Sequence, residues 1–313
     1  MEIMKLLPAG QDYLWGGERL KKEFGKTLPL TPLAETWECS VHPDGLSRIG
    51  NGKFQGKTLA DVLKEHPEYM GRKMEAESEL PILVKFIDAK QDLSVQVHPD
   101  DDYARKHEYQ NGKTEMWYIM DCEEGAFLYY GFKKEVSKEE FEERIKTDTL
   151  LEVLNAVPVH KGDVLFIEAG TIHAIGKGIV IAEIQQNSNV TYRVYDFGRV
   201  GKDGKKRELH IDKAVEVTNR VPISRKNTCY PHIASCDYFT VDCLNMDGKL
   251  MSSMKGSVGE ESFASILIME GEGTISCGGE TIPYRKGDSF FMSAGSGEYE
   301  ISGECEVLIT TVG

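Results

Sequence analysis

The pattern of apolar and polar positions along the chain is dominated by short runs with a period of two. "ILVKFIDA", "LSVQVHP", "EMWYIMD", "AFLYYGF", "DVLFIEA", "IVIAEIQQ" and "VTYRVYDF" each read as a strand. Gly- and Asp-bearing turns separate them. In "LSVQVHPD", Leu93, Val95 and Val97 alternate with Ser94, Gln96 and His98, so the three polar groups share one face. Helical spacing is rarer. "TLADVLKEHPEYMG" has Leu59, Val62 and Leu63 on one side and Gly71 as a stop. "SKEEFEERIKTDTLLEVLNAV" opens with Ser137 and Glu140, a capping box. "HIDKAVEVTNR" is a third, shorter segment. Many short strands with few helices predict a mainly β chain of jelly-roll barrels.

A repeat refines this. "KGDVLFIEAGTIHAI" begins at Lys161 and "KGDSFFMSAGSGEYE" at Lys286, with Lys, Gly, Asp, Phe, Ala and Gly in register. Each copy follows a strand and turn, "MWYIMDCEEGAF" and "ILIMEGEGTISCG". The chain therefore reads as two related jelly-roll units. The expected division is 1–230, with the helical insertions, and 231–313, a smaller C-terminal β domain. His173 in the first copy aligns with Glu298 in the second, and the second copy has no Q-x-H upstream. The metal chemistry is expected in the first unit alone.

Composition changes the picture only at its edges. The 313 residues suffice for one large or two ordinary domains. The formal net charge of −14 argues against a nucleic-acid partner but leaves room for a local basic pocket. Seven Cys, an odd count without C-x-x-C, suit reduced thiols in the cytoplasm. No stretch has the ~18–20 apolar residues of a membrane helix, and no signal peptide is visible at "MEIMKLLPAGQDYLWGG".

Four residues of the first unit carry the candidate chemistry: Gln96, His98, Glu115 and His173. Two imidazoles and a carboxylate suit Zn²⁺, and equally Fe²⁺. The order Q-x-H, carboxylate, then a lone His after a "GD…AG" turn resembles the metal motif of the cupin superfamily, with Gln96 where a first His is common. His66, His107, His160, His210 and His232 read as structural or solvated.

Longer segments narrow the resemblance. "YLWGG", "LAETWECSVHPDG", "PILVKFIDAKQDLSVQVHPDD", "GKTEMWY", "AGTIHAI" and "TYRVYDFGR" are similar to the signatures of type I mannose-6-phosphate isomerases of the short bacterial form. The matches run from residue 13 to about 199, with Thr114 in place of the family's Pro. The resemblance implies two cupin-type barrels and interconversion of mannose 6-phosphate and fructose 6-phosphate through a cis-enediol. It implies one Zn²⁺ per chain, or another divalent metal, on His98, Glu115, His173 and Gln96. Arg193 would serve the enediolate or the phosphate, or instead pair with Asp196. Lys113 would be a phosphate ligand or proton shuttle, or instead a solvated loop lysine. Ser94 would bind substrate or cap backbone. Lys85, a charge within an apolar strand, demands a partner or a wet pocket, and Glu35 is a further carboxylate for the site. Trp15 and Trp37 are expected to pack the barrel mouth. The loop "GKDGKKRELH" either covers the pocket or is simply solvated. The expected partner is a small sugar phosphate, and the expected assembly a monomer or homodimer. Rival readings are a metal-dependent cupin dioxygenase, and a non-catalytic sugar-phosphate sensor.

Overall fold

The computed structural model describes residues 3–77, 79–201, 204–225 and 228–312. Three sheets build it. A six-stranded sheet runs in the order Val164–Ile167, Glu115–Cys122, Ile179–Gln186, Ile82–Ala89, Glu35–Cys39, Ala9–Gln11. A five-stranded sheet runs Tyr192–Tyr195, Val95–Val97, His173–Ala174, Phe127–Phe132, Leu154–Pro158. Between these two lies an apolar core that includes Ile87, Leu93, Trp117, Ile119, Leu128, Leu165 and Ile181. The nine-stranded third sheet forms the C-terminal unit and folds around its own core, with Ile266, Ile268, Phe290, Ile301 and Val307.

The C-terminal unit also packs on the outer face of the six-stranded sheet. Val84, Phe86, Met116, Val180, Ala182 and Ile184 meet Leu267, Phe291 and Leu308 there. That explains why "ILVKFIDA" and "IVIAEIQQ" are buried at every position. One face looks into the barrel and the other into the second unit, so almost no position is left for water. The N-terminal strand Ile3–Leu7 pairs with Ser289–Met292 and so belongs to the C-terminal unit's sheet. The strands of that sheet therefore come from both sides of residue 230.

Turn chemistry explains the repeat. Gly162 and Gly287 both adopt φ 89°, a left-handed conformation that glycine tolerates best. Asp163 accepts from the His160 N–H, and Asp288 from the Arg285 N–H, three residues back in both cases. Lys161 and Lys286 converge on one carboxylate oxygen of Glu270, at 3.2 and 2.8 Å. The copies diverge at the candidate ligand position: His173 is buried and Glu298 is exposed.

The helices differ in detail from expectation. The segment 58–71 is a helix only over Leu59–Glu65; Pro67 then opens a 3₁₀ turn ending at Met70. His66, preceding proline, leaves the helical region with φ −133°, as the ring of a following proline requires. Ser137 caps Lys138–Lys146 by accepting from the Glu140 N–H at 3.0 Å. The third segment forms Ile211–Val217. Two short helices had no strong periodic signal, Arg19–Phe24 and Asp101–His107, the latter capped by Asp100.

Candidate metal centre and the pocket above it

Strand pairing gathers the polar groups. Gln96 lies directly opposite His173 on one side and Arg193 on the other. Directly opposed residues share a face, so all three point into the barrel. On the facing sheet, Trp37, Lys85, Glu183 and Trp117 form a row across four strands, and Gln185 opposes Glu115.

His98, Glu115 and His173 bring one donor atom each to within 4.8 Å of one another, all buried. The His98 Nδ1 sits 2.8 Å from the Val190 carbonyl, and the His173 Nδ1 2.9 Å from that of Thr171. A carbonyl only accepts, so each Nδ1 carries the proton and each Nε2 presents a lone pair to the site. His98 Nε2 is 3.1 Å from Glu115 Oε1, yet neither atom has a well-directed hydrogen bond. Unsatisfied buried polar atoms are costly. Two neutral imidazole nitrogens and a carboxylate oxygen converge here, with His98 Nε2 lacking any hydrogen-bond partner among the described residues, and such a set fits a divalent cation. The electrostatics agree. Burial, and then the Lys113 ammonium, hold the His98 pKa down to about 3. Burial lowers that of His173 as well. Burial opposes the Glu115 charge, but Lys113 and His98 outweigh it and keep this carboxyl well below its usual range.

A cavity of about 250 Å³ opens above this group. Ser94, Gln96 and Arg193 line it from the side of the five-stranded sheet, and Glu35, Lys85, Trp117 and Glu183 from the six-stranded one, with Lys113 entering just before Glu115. Arg193 Nε reaches the Ser94 hydroxyl at 3.3 Å, Ser94 donates to Gln96 Oε1 at 3.4 Å, and the Gln96 amide nitrogen lies 3.4 Å from His173 Nε2. Gln96 thus borders the metal group through its amide. Lys113 is buried, with Nζ 2.7 Å from Glu115 Oε1, rather than solvated on its loop. Lys85 is 3 % exposed and sits between Glu183 at 3.1 Å and Glu35 at 3.7 Å. Burial works against its charge, but Glu35 and Glu183 more than offset this and raise its pKa. Trp15 lines the cavity, whereas Trp37 is fully buried and donates to Glu35 at 2.8 Å.

Arg193 makes no ion pair with Asp196 among the described residues. Asp196 is held instead by Arg207, at 2.7 Å, and Arg199. Arg207 comes from the basic loop and lines the cavity, so that loop reaches the pocket; Lys202 and Asp203 within it lie outside the described residues. Burial, and then Arg207, lower the Arg193 pKa. Sequence reasoning missed Tyr13, Glu183, Asn189 and Thr191 as pocket residues, and named the loop of Arg207 without singling out that residue. Glu183 had a usable signal: a lone carboxylate in "IVIAEIQQ", the counterpart of Lys85 in "ILVKFIDA".

A jelly-roll barrel with a His/Glu/His group inside its mouth defines a cupin. Comparison with known proteins then narrows the class. Residues 3–127 match the model of the phosphomannose isomerase type I catalytic domain, and residues 230–312 that of the mannose-6-phosphate isomerase cupin domain. The chain is 38 % identical to mannose-6-phosphate isomerase ManA of Bacillus subtilis, over 97 % of this chain and 96 % of that one. It is 37 % identical to the mannose-6-phosphate isomerase of Streptococcus mutans, over 94 % and 93 %. A crystal structure of the mannose 6-phosphate isomerase from Bacillus subtilis superposes with a TM-score of 0.91 at 34 % identity, covering 99 % of both chains. The chain belongs to the type I mannose-6-phosphate isomerase family, a family of aldose–ketose isomerases. No helix among the described residues is long and apolar enough to cross a membrane.

Proposed function

We propose that this protein interconverts mannose 6-phosphate and fructose 6-phosphate, moving a proton between C2 and C1 through a cis-enediol. The observation that carries the reading is the buried, converging set His98, Glu115 and His173 beneath a cavity edged by Lys85, Lys113, Arg193 and Arg207. These residues would hold one divalent cation, zinc in the first instance, with Gln96 beside them. When bound, the cation polarises sugar oxygens as a Lewis acid.

The chain's own groups supply the rest. Arg193 presents a permanent cation to the developing enediolate, worth most in a site shielded from water. Arg207, oriented by Asp196, extends this positive edge toward the phosphate. Ser94 offers a hydroxyl between Arg193 and Gln96 for a sugar hydroxyl. Lys113 lies beside Glu115 as a proton shuttle. Across the cavity, Lys85 and Glu183 form a pair able to hold and release a proton. Burial, and then the Glu115 charge, raise the Glu183 pKa, in the direction an acid–base group needs. The catalytic unit lies within residues 1–230, and the C-terminal cupin unit is built from 231–313 together with the strands Ile3–Leu7 and Arg48–Ile49; the metal residues all belong to the catalytic unit. The seven free thiols suit a reducing compartment, the cytoplasm. The assembly is a monomer or homodimer.

The test is a coupled assay on mannose 6-phosphate with metal analysis of the same sample. Glu115→Ala should lose bound metal and turnover together. Full turnover by that variant in metal-free buffer would overturn the reading.

A further inference from the structure

The indole of Trp117 has one hydrogen to donate. Its Nε1 lies 3.0 Å from Glu115 Oε2 and 2.8 Å from Glu183 Oε2. These carboxylates belong to different parts of the site: Glu115 to the His98/Glu115/His173 group, Glu183 to the cavity wall beside Lys85. Strand geometry brings the three side chains together. Glu115 and Trp117 are two residues apart on one strand, so their side chains share a face. Glu183 is directly opposite Trp117 on the neighbouring strand. The ring is 1 % exposed and stands edge-on to His173, with centroids 5.2 Å apart at 79°. Trp117 therefore touches two members of the metal group and the pocket carboxylate at once.

Both acceptors are carboxylates, and like charges brought together in a buried site repel. The Lys113 and Lys85 ammonium groups offset that repulsion in part, and the one N–H set between the two carboxylates fixes where their Oε2 atoms point. Trp37 provides a contrast: its N–H goes to Glu35 alone, at 2.8 Å.

We propose that Trp117 is a positioning residue that ties the metal-binding carboxylate to the proton-handling wall of the pocket through one shared N–H. Loading of the metal group and the geometry of Glu183 are thereby coupled. This rests on the metal reading of His98, Glu115 and His173. It does not require mannose 6-phosphate to be the substrate.

The first experiment is Trp117→Phe, which keeps an aromatic ring against His173 and deletes the donor. Metal-free protein is titrated with Zn²⁺ against a competing chelator. The metal Kd should rise by about 10–100-fold, the range found when a partner of a metal ligand is removed. At saturating metal, kcat should fall at least tenfold while KM for the sugar phosphate stays within about threefold, since Trp117 acts through other groups. Trp117→Phe with an unchanged Kd and kcat within twofold of wild type would overturn the proposal, whatever happened to its melting temperature. The second measurement needs no substitution at Trp117. The protein contains three Trp, so indole-¹⁵N labelling gives three N–H signals, assignable by Trp15→Phe and Trp37→Phe. Zn²⁺ should shift the Trp117 signal, and Glu183→Gln should shift it in the metal-free protein. A Trp117 signal indifferent to both would refute the sharing. Wild-type protein that binds metal but does not turn over mannose 6-phosphate would refute the proposed substrate, while the Kd and the indole signal still decide the role of Trp117.

Discussion

Replacing Lys85 by methionine removes a buried cation from between two carboxylates while conserving its length and much of its volume. The ammonium lies 3.1 Å from Glu183 and 3.7 Å from Glu35, and all three side chains are at most 9 % exposed. At an effective dielectric constant of ~20, each pair is worth about 4–5 kcal/mol. Desolvating the ammonium takes back several kcal/mol. A net cost of about 3–5 kcal/mol is expected on breaking the cluster, because buried charge is left without a partner. The cost should depend on pH. Burial already raises the Glu183 pKa, and Lys85 is one of the groups opposing that rise; without Lys85 it climbs further. A carboxyl whose pKa is higher folded than unfolded binds more protons when folded, so stability falls as pH rises from the unfolded value through the folded one. The deficit of Lys85→Met should therefore be small near pH 5, where Glu183 can take up a proton, and largest near pH 8. Urea unfolding of metal-free protein at both values, read by circular dichroism, measures it. A deficit equal at the two pH values, or below about 0.5 kcal/mol at pH 8, would refute the electrostatic account and leave Lys85 as packing.

Arg193→Ala should bind metal as well as wild type and lose about two orders of magnitude in kcat, because it removes charge facing the reaction and no ligand; an unchanged rate would make Arg193 structural. Gln96→Ala should retain one metal per chain with a Kd within about tenfold of wild type, since three other donors already converge; loss of metal from this variant alone would make Gln96 an essential ligand. Glu38→Ala should destabilise the fold by about 3 kcal/mol or more, because it strands the Lys26 ammonium that now lies 2.6 Å from Glu38 in a buried junction. Lys26→Met with Glu38→Ala together should recover much of that loss in thermal melts, and a double variant as unstable as the sum of the singles would contradict the pairing.

Legibility followed the range of the physics. The alternation in "LSVQVHPD" gave the common face of Ser94, Gln96 and His98 because side-chain direction in a strand is a local property. His98, Glu115 and His173 were readable because few residue types bind metal and their order along the chain was informative. The helix over 58–71 was overextended because Pro67 weighed less in the pattern than the apolar spacing before it. Glu183 escaped notice, and Arg207 was not singled out within its basic loop, for another reason. Nothing within a few residues of either says that it faces Lys85 or enters the same cavity; cross-strand register and the path of a long loop do so.

The sequence by itself determined the strands, the repeated turns at Lys161 and Lys286, the difference between His173 and Glu298 at matching positions, and the residue types able to hold a cation. These depend on period, turn chemistry and donor identity, all local to a short stretch. Only the tertiary structure decided which groups meet. It placed Arg193 beside Ser94 instead of Asp196, turned Lys113 inward, and gave one Trp117 hydrogen to two carboxylates. It also sent the Ile3–Leu7 strand into the C-terminal sheet. A strand's own pattern says which face is buried; it does not say which distant strand lies alongside, because that choice is made by pairing and packing across the whole chain.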